Sequence, residues 1–278
     1  MKRMIQILQL FSPKLVSRIA YKYLSNPRIR KLRDSEESIL SKAHTEDIEY
    51  KKFKIHKYQW GKENKKTALL IHGWEGRAGN FAGIIDDLIQ NKYQVVAYDA
   101  PAHGKSSIKK TSMFEFAEFL ESEFTNIMPQ VIISHSFGSV NAATIFRNNP
   151  EFNLDLWIMV TTPYNFMSRV NEISDYFGIK SKAKNELIKL IQNDTNEDIN
   201  HLNMASYCQE LSNVKKAIIV HSKTDKVLPI EGAREVTKAF KRSSLIELDN
   251  LGHYNILWSD ELRKIITESL KQLLTTKN

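Results

Sequence analysis

The alternation of short apolar runs with helical segments, which begins near residue 47, most constrains how this chain can fold. The run TALLIHG at 67–73 is apolar on successive residues, as expected of a parallel strand buried on both faces. A segment with helical periodicity follows it, and the pairing of strand with helix then recurs along the chain. This alternation predicts an α/β fold with a mostly parallel sheet covered by helices on both faces. The further predicted strands are QVVAYDAP, VIISHS, LDLWIMVTT, KKAIIVHS and SLIELD.

The interval 164–213 interrupts this alternation, because it has no strand-like run although it lies between two predicted strands. It is too long for a bare loop, and its content of Leu, Ile and Phe predicts two to four short helices. Inserted at the carboxyl edge of the sheet, such a segment would cover a ligand crevice as a lid. We therefore predict an N-terminal extension over 1–46, a core over 47–163 and 214–278, and a helical lid over 164–213.

The net charge of +8 comes from the N-terminal extension. Residues 1–33 hold nine basic residues and no acidic one, which leaves 31 Lys+Arg (40 minus nine) against 32 Asp+Glu in the rest. Such a neutral body does not support a polyanion-binding face, so we expect no nucleic-acid partner. The nine basic residues are Lys2, Arg3, Lys14, Arg18, Lys22, Arg28, Arg30, Lys31 and Arg33.

Within this extension, SPKLVSRIAYKYL predicts an amphipathic helix with Ser12 as its N-cap and Pro13 in its first turn. Its predicted apolar face carries Leu15, Val16, Ile19 and Tyr23, and its basic face carries Lys14, Arg18 and Lys22. Two interpretations stay open. The apolar face packs on the rest of the chain, or residues 1–33 attach reversibly to an anionic membrane or to a partner.

The cysteine content points to a reducing compartment. Cys208 is the single cysteine, so no internal disulfide can form and a cytoplasmic location is expected, with or without membrane association. No stretch approaches the roughly 18 uncharged apolar residues of a transmembrane helix. The first residues lack a small-residue cleavage site, so we expect no signal peptide. These patterns specify no oligomeric state.

The stretch VIISHSFGSV, residues 131–140, places a serine between a predicted strand and a predicted helix. Small residues stand two positions before and two positions after Ser136, at Ser134 and Gly138. A tight strand-to-helix turn needs small neighbours, because its serine adopts a strained conformation that points the hydroxyl away from the chain. Ser136 is therefore a candidate nucleophile, and the alternative is an ordinary turn serine.

Five segments together resemble the α/β-hydrolase superfamily, in an esterase- or lipase-like form with a helical lid. SHSFG resembles the nucleophile elbow G-x-S-x-G, with Ser134 in place of the first glycine. LLIHGWEG resembles the loop that supplies half of the oxyanion hole, and YDAPAHGKS resembles the D-x-P-G-H-G-x-S turn, with Ala102 in place of a glycine. VHSKTD and LDNLGHYN then complete the family's chain order of Ser136, Asp225 and His253.

The resemblance covers about residues 47–278 and implies a catalytic triad. Ser136 would be the nucleophile, and His253 would accept its proton and return it to the leaving group. Asp225 would hold the imidazole in the required tautomer, with Asp249 as the rival for this acidic position.

The resemblance also implies an oxyanion hole made by the backbone N–H groups of Trp74 and Phe137. We expect no metal or other cofactor, because the sequence has no Cys/His cluster and no glycine-rich phosphate loop. Candidates for the substrate pocket, each with a structural alternative, are His72, Glu75, His135, Phe166 and Met167.

These residues imply a serine hydrolase that cleaves carboxylic esters of small or medium-sized substrates through an acyl-enzyme. A serine at the elbow disfavours the dehalogenase and epoxide-hydrolase branches, which place an aspartate there. Two alternatives stay open, because a fold does not specify a reaction. One is a thioesterase or acyltransferase that uses the same triad, and the other is a catalytically inactive binding protein.

Overall fold

The computed structural model describes residues 2–28, 31–107, 110–112, 114–195, 198–199 and 202–275. Arg30, one of the nine basic residues of the extension, and residues 196, 197, 200 and 201 of the predicted lid lie outside these ranges. The strands are β1 (His44–Tyr50), β2 (Phe53–Trp60), β3 (Lys66–Ile71), β4 (Tyr93–Tyr98), β5 (Val131–His135), β6 (Leu156–Val160), β7 (Ala217–Ser222) and β8 (Ser243–Leu248).

These strands form one eight-stranded sheet in the order β1-β2-β4-β3-β5-β6-β7-β8. The antiparallel hairpin β1–β2 joins the sheet through an antiparallel pairing of β2 with β4, and all later neighbours pair in parallel. The predicted fold class, a mostly parallel α/β sheet, is confirmed.

The helices are α1 (Lys2–Phe11), α2 (Pro13–Leu24), α3 (Asp34–Ser41), α4 (Ala82–Gln90), α5 (Glu115–Ile127), α6 (Phe137–Asn148), α7 (Phe166–Phe177), α8 (Ser181–Thr195), α9 (Met204–Gln209), α10 (Ile230–Ala239) and α11 (Asp260–Thr275). Successive residues of β3 enter two different apolar cores, because side chains alternate across a sheet: Leu69 joins one core and Leu70 the other. Helices α5, α6 and α10 cover the first face, and α3, α4 and α11 cover the second.

Helices α7, α8 and α9 lie between β6 and β7, in the interval for which two to four short helices were predicted. Their apolar residues extend the first core, with Val170 and Leu187 fully buried. Because β6 and β7 are parallel neighbours, this insertion leaves and re-enters the sheet near its carboxyl edge. That edge is where open α/β sheets bind their ligands.

The N-terminal extension contains helices that the sequence patterns did not predict, namely α1 and α3. The predicted helix is present as α2, and Ser12 caps it by accepting a hydrogen bond from the Leu15 amide. Its predicted apolar face was only half right, because Val16 is buried and Tyr23 packs against the core, whereas Leu15 and Ile19 are 44% and 39% exposed. Packing against α8 of the lid instead buries the side of α2 that carries Val16, Ser17, Ala20 and Leu24.

Among the residues that the structure describes, no helix has both the length and the apolar composition needed to span a bilayer.

Candidate active site

Ser136 lies at the sharp turn between β5 and α6 with backbone angles φ 52° and ψ −124°. A side-chain-bearing residue rarely adopts a positive φ, and such strain concentrates at functional sites. The turn also requires Gly138, since a Cβ atom there would lie 2.2 Å from the carbonyl oxygen of Ile71. The small residue two positions after Ser136 therefore has a steric cause in the neighbouring strand β3.

Ser134 replaces the first glycine of the elbow and is fully buried. Its hydroxyl oxygen accepts a 2.8 Å hydrogen bond from the Trp157 indole N–H and shares a 2.9 Å hydrogen bond with the Ser139 hydroxyl. A serine is tolerated here because the structure gives its polar group two partners. Trp157, on the adjacent strand β6, is the residue that makes this substitution fit.

His253 follows β8, and its ring lies between two of the other predicted site residues. The distance from its Nε2 to Ser136 Oγ is 3.1 Å, and the distance from its Nδ1 to Asp225 Oδ2 is 2.7 Å. The Asp225 carboxylate accepts, so the Nδ1 carries the proton and the Nε2 faces the serine hydroxyl as an acceptor. The structure thus brings together three side chains that are far apart in the sequence.

Asp225 follows β7, and its side chain is fully buried. Its Oδ1 accepts hydrogen bonds from the amides of Val227 and Leu228, at 2.7 and 2.9 Å, which leaves Oδ2 for His253. Burial raises the pKa of this carboxyl, but the hydrogen bond and charge of His253 and the two amides outweigh it and hold the pKa below its usual value. Asp225 is therefore a carboxylate at neutral pH.

Asp249, the rival for the acidic position, faces solvent instead. Its side chain is 68% exposed and pairs with Lys223 at 3.0 Å. The geometry favours Asp225 as the partner of His253.

The backbone amides of Trp74 and Phe137 are the predicted oxyanion donors. Neither amide donates a hydrogen bond to any residue in the described part of the chain. The two loops touch closely, because a Cβ atom on Gly73 would lie 2.9 Å from Ser136 Cβ and 3.3 Å from the Phe137 amide nitrogen. Main-chain amides without a partner, on two loops in such close contact, are suited to bind a developing oxyanion.

Two buried histidines hold the backbone around Trp74. His72 donates from Nδ1 to the Gly73 carbonyl at 2.8 Å and accepts the Ala100 amide at Nε2. His103 donates from Nδ1 to the Pro101 carbonyl and accepts the Glu75 amide at Nε2, at 3.1 Å. Each ring therefore bridges two main-chain segments of this loop region.

Both rings are neutral at physiological pH. Burial lowers the pKa of His72 to about 4 and the pKa of His103 to about 3, because a charged imidazole is costly away from water. Only a neutral imidazole can donate from one nitrogen and accept at the other, so burial also fixes these contacts.

Glu75 has a positive φ of 58° and lies directly after Trp74. Its carboxylate forms a two-pronged ion pair with Arg28, whose Nε and Nη2 donate at 2.6 and 2.9 Å. The sequence patterns did not single out Arg28 as a site residue. It could be found only from the structure, since 47 residues separate the two partners.

A cavity of about 320 Å³ opens onto Ser136 and His253. Glu75 and Phe166 line it, as predicted. His72, His135 and Met167 do not line it, which corrects the predicted pocket. Both histidines are almost fully buried and bonded to main-chain carbonyls, and Met167 packs against the apolar core.

Apolar and aromatic side chains of the sheet edge and the lid form most of the cavity wall. The charged groups in the wall occur in pairs, since Arg169 binds Glu172 at 2.9 Å much as Arg28 binds Glu75. The apolar wall includes Val140, Phe166, Leu202, Met204, Tyr207 and Leu228.

Across the described residues, no group of three or more His, Cys, Asp and Glu side chains could hold a metal ion.

Comparisons with known proteins point to one fold. A family model described as alpha/beta hydrolase fold matches residues 67–178. A serine hydrolase-like protein of Danio rerio is 26% identical over 205 residues, which span 71% of this chain and 61% of that protein.

Two solved structures are similar over most of the chain. A putative lipase from Acinetobacter baumannii has a TM-score of 0.66 at 19% identity and covers 90% of this chain and 100% of its own. A thioesterase domain from the curacin biosynthetic pathway has a TM-score of 0.62 at 13% identity and covers 83% of this chain and 98% of its own. At these identities the likeness shows a shared fold.

Proposed function

Since this chain is a member of the α/β-hydrolase superfamily, we propose that it is a serine hydrolase that cleaves carboxylic esters through an acyl-enzyme intermediate. One observation carries the proposal. The hydrogen bonds from Asp225 through His253 to Ser136 form an unbroken line at 2.7 and 3.1 Å beside a cavity of substrate size. Hydroxyl, base and orienting carboxylate in this arrangement are the requirements for an activated serine nucleophile.

In the first half-reaction, Ser136 Oγ attacks the ester carbonyl carbon while His253 Nε2 takes the hydroxyl proton. The carbonyl double bond opens to a tetrahedral oxyanion, which the amides of Trp74 and Phe137 stabilise. The oxyanion then collapses and expels the alkoxide, and His253 returns the proton to it, so that the alcohol leaves and the acyl group stays on Ser136. Asp225 stays ionised and stabilises the imidazolium that forms in between.

In the second half-reaction, a water molecule takes the place of the alcohol. His253 accepts a proton from the water as it attacks the acyl carbon, and the second tetrahedral intermediate collapses to a carboxylic acid. The proton on His253 then passes to Ser136 Oγ, which restores the resting enzyme. Net consumption is one ester and one water, and no redox partner is required.

The cavity wall favours an uncharged acyl group of small or medium size. Most of the wall is apolar, and its Arg28–Glu75 and Arg169–Glu172 pairs neutralise one another, so the wall residues that the structure describes offer no unpaired charge to an acidic or basic substrate. Burying a charged substrate group beside apolar side chains without a partner would be unfavourable. We therefore expect simple aliphatic or aromatic esters to be the preferred substrates.

A fluorophosphonate probe tests the proposal, because it reacts covalently with activated serines. We expect the native protein to be labelled, Ser136→Ala to lose all labelling, and Ser206→Ala, at an exposed serine of α9, to be labelled like the native protein. Labelling that survives Ser136→Ala would contradict the assigned nucleophile. A folded protein that shows no labelling would favour an inactive, ligand-binding hydrolase fold.

The same triad could instead serve a thioesterase or an acyltransferase, and the thioesterase domain with a similar fold supports testing this alternative. A panel of 4-nitrophenyl esters of graded acyl length, compared with the matching acyl-CoA thioesters, separates an esterase from a thioesterase. An added alcohol or amine acceptor that captures the acyl group at the expense of the free acid would identify a transferase. We expect the oxygen esters to have the highest kcat/KM and water to be the acceptor.

A further inference from the structure

The first two helices expose an unusual amount of apolar surface. Ten large hydrophobic side chains are exposed in the described part of the chain, and six of them lie on α1 and α2. They are Met4, Ile7, Leu10, Phe11, Leu15 and Ile19, of which Phe11 is 82% exposed. Scattered exposed apolar residues are normal on protein surfaces, whereas a concentration on one pair of helices indicates a surface that contacts something.

The opposite sides of the same helices are held against the lid. Gln9 donates to the Gly178 carbonyl at 3.0 Å and accepts the Lys180 amide at 2.7 Å, which ties α1 to the turn between α7 and α8. Tyr21 of α2 donates a hydrogen bond to Asp194 of α8. The two helices are therefore fixed in orientation, and their outward side is a defined surface, which we call the outer face.

Positive charge accompanies the apolar residues on the outer face. Arg3, Lys14, Arg18 and Lys22 are exposed, and none of them forms an ion pair with a residue that the structure describes. No acidic residue occurs in the sequence before Asp34. Asp194, the carboxylate where α8 meets α2, is already bound by Tyr21 and Lys110. The outer face thus combines exposed apolar side chains with uncompensated cations.

We propose that the outer face of α1 and α2 docks on an anionic lipid bilayer. Apolar side chains that enter the headgroup region, flanked by Lys and Arg that pair with lipid phosphates, are the features of a helix that lies in a membrane interface. The charge argues against a second copy of this chain as the occupant, because two such faces would bring like charges together. This inference is independent of the ester chemistry.

Vesicle sedimentation tests the proposal with the full chain. We expect the protein to pellet with vesicles of mixed phosphatidylcholine and phosphatidylglycerol, to pellet weakly with pure phosphatidylcholine, and to be released by high salt. Arg18→Gln combined with Lys22→Gln should weaken binding to the anionic vesicles by about 30-fold, since each basic side chain near such a surface contributes about fivefold. Phe11→Ser should weaken it roughly tenfold through lost apolar contact.

Matched control variants lie on α11, which packs on α4. Lys264→Gln combined with Lys271→Gln removes the same charge, and Leu274→Ser removes an exposed apolar side chain. We expect both controls to bind like the native protein. Equal weakening by the α11 variants would overturn the assignment to the outer face.

Further outcomes also decide whether the outer face binds lipid. Failure of the native protein to bind any vesicle would overturn the lipid assignment and leave a protein partner as the occupant of the outer face. Ser136→Ala should bind vesicles normally, which separates a failure of docking from a failure of the proposed ester chemistry. Thermal melts and turnover of a water-soluble ester verify that the outer-face variants fold, because none of the changed residues lines the cavity.

Discussion

His135 Nε2 donates a 2.9 Å hydrogen bond to the main-chain carbonyl of His253. The residue that precedes the candidate nucleophile therefore holds the loop that carries the candidate base, and their rings lie 4.9 Å apart. Burial lowers the pKa of His135 to about 3, so this ring stays neutral and is unsuited to proton transfer at physiological pH. Its contact with His253 indicates a positioning role.

We predict that His135→Ala lowers kcat roughly tenfold, because a small displacement of a catalytic base has a large effect on rate. His135→Gln can supply a donor at similar reach and should recover most of the loss. Steady-state turnover of a 4-nitrophenyl ester measures both effects, with thermal melts to verify folding. Unchanged kcat in His135→Ala would show that the loop needs no such support.

Asp225→Asn is predicted to lower kcat by about 10⁴-fold, because an amide that can donate to Nδ1 favours the wrong tautomer of His253. Asp249→Asn is the matched control, since Asp249 is exposed and pairs with Lys223. It should keep native turnover. If Asp249→Asn lost turnover while Asp225→Asn kept it, Asp249 would be the partner of His253 instead.

Ser134→Gly restores the glycine of the usual elbow and is predicted to destabilise the protein. The Trp157 indole N–H would lose its acceptor in a fully buried site, at a cost of about 1–3 kcal/mol in the free energy of unfolding. Urea unfolding measures this cost, while kcat should stay within a few-fold of native. In a Trp157→Phe background the donor is gone, so the same substitution should cost less. An equal cost in both backgrounds would mean that the indole contact does not matter.

Stability is predicted to fall as the pH drops below about 6.5, because the unfolded chain then protonates histidines that stay neutral in the folded protein. The folded pKa is about 4 for His72 and about 3 for His103 and His135. Each histidine whose pKa is lowered in the folded protein makes the free energy of unfolding rise with pH, by up to about 1.4 kcal/mol per pH unit. This rise extends from the pKa of that histidine in the folded protein to about pH 6.5. Above that range the contribution is complete.

Urea titrations at a series of pH values test this slope. His103→Gln should reduce it by about 1 kcal/mol per pH unit between about pH 6 and pH 5. A slope that persists in His103→Gln would contradict the neutral state assigned to that ring.

The sequence was most informative where structure is set locally. Apolar runs of buried strands and the small residues around Ser136 predicted the sheet and the strand-to-helix turn, because both depend on adjacent residues. Ala102 stands where the family usually has a glycine, and it adopts a left-handed φ of 64°, so the turn is kept despite the substitution.

Features that depend on distant contacts were not predicted. The buried side of α2 is selected by the lid helix α8 and not by the hydrophobicity of α2 alone. The roles of Trp157 and His135 depend on hydrogen bonds to partners on other segments. Single-sequence patterns contain no signal for such pairs.

The bond between Arg28 and Glu75 affects how this chain can be divided experimentally. A fragment cut to begin at the first strand would retain Ser136, Asp225 and His253 but would lack Arg28, which lines the cavity and tethers the loop after Trp74 through Glu75. Such a shortened protein would be expected to accept bulkier esters with less discrimination. Under the proposed ester chemistry, the segment ahead of the sheet would therefore contribute to substrate choice, although a fragment defined by fold boundaries would discard it.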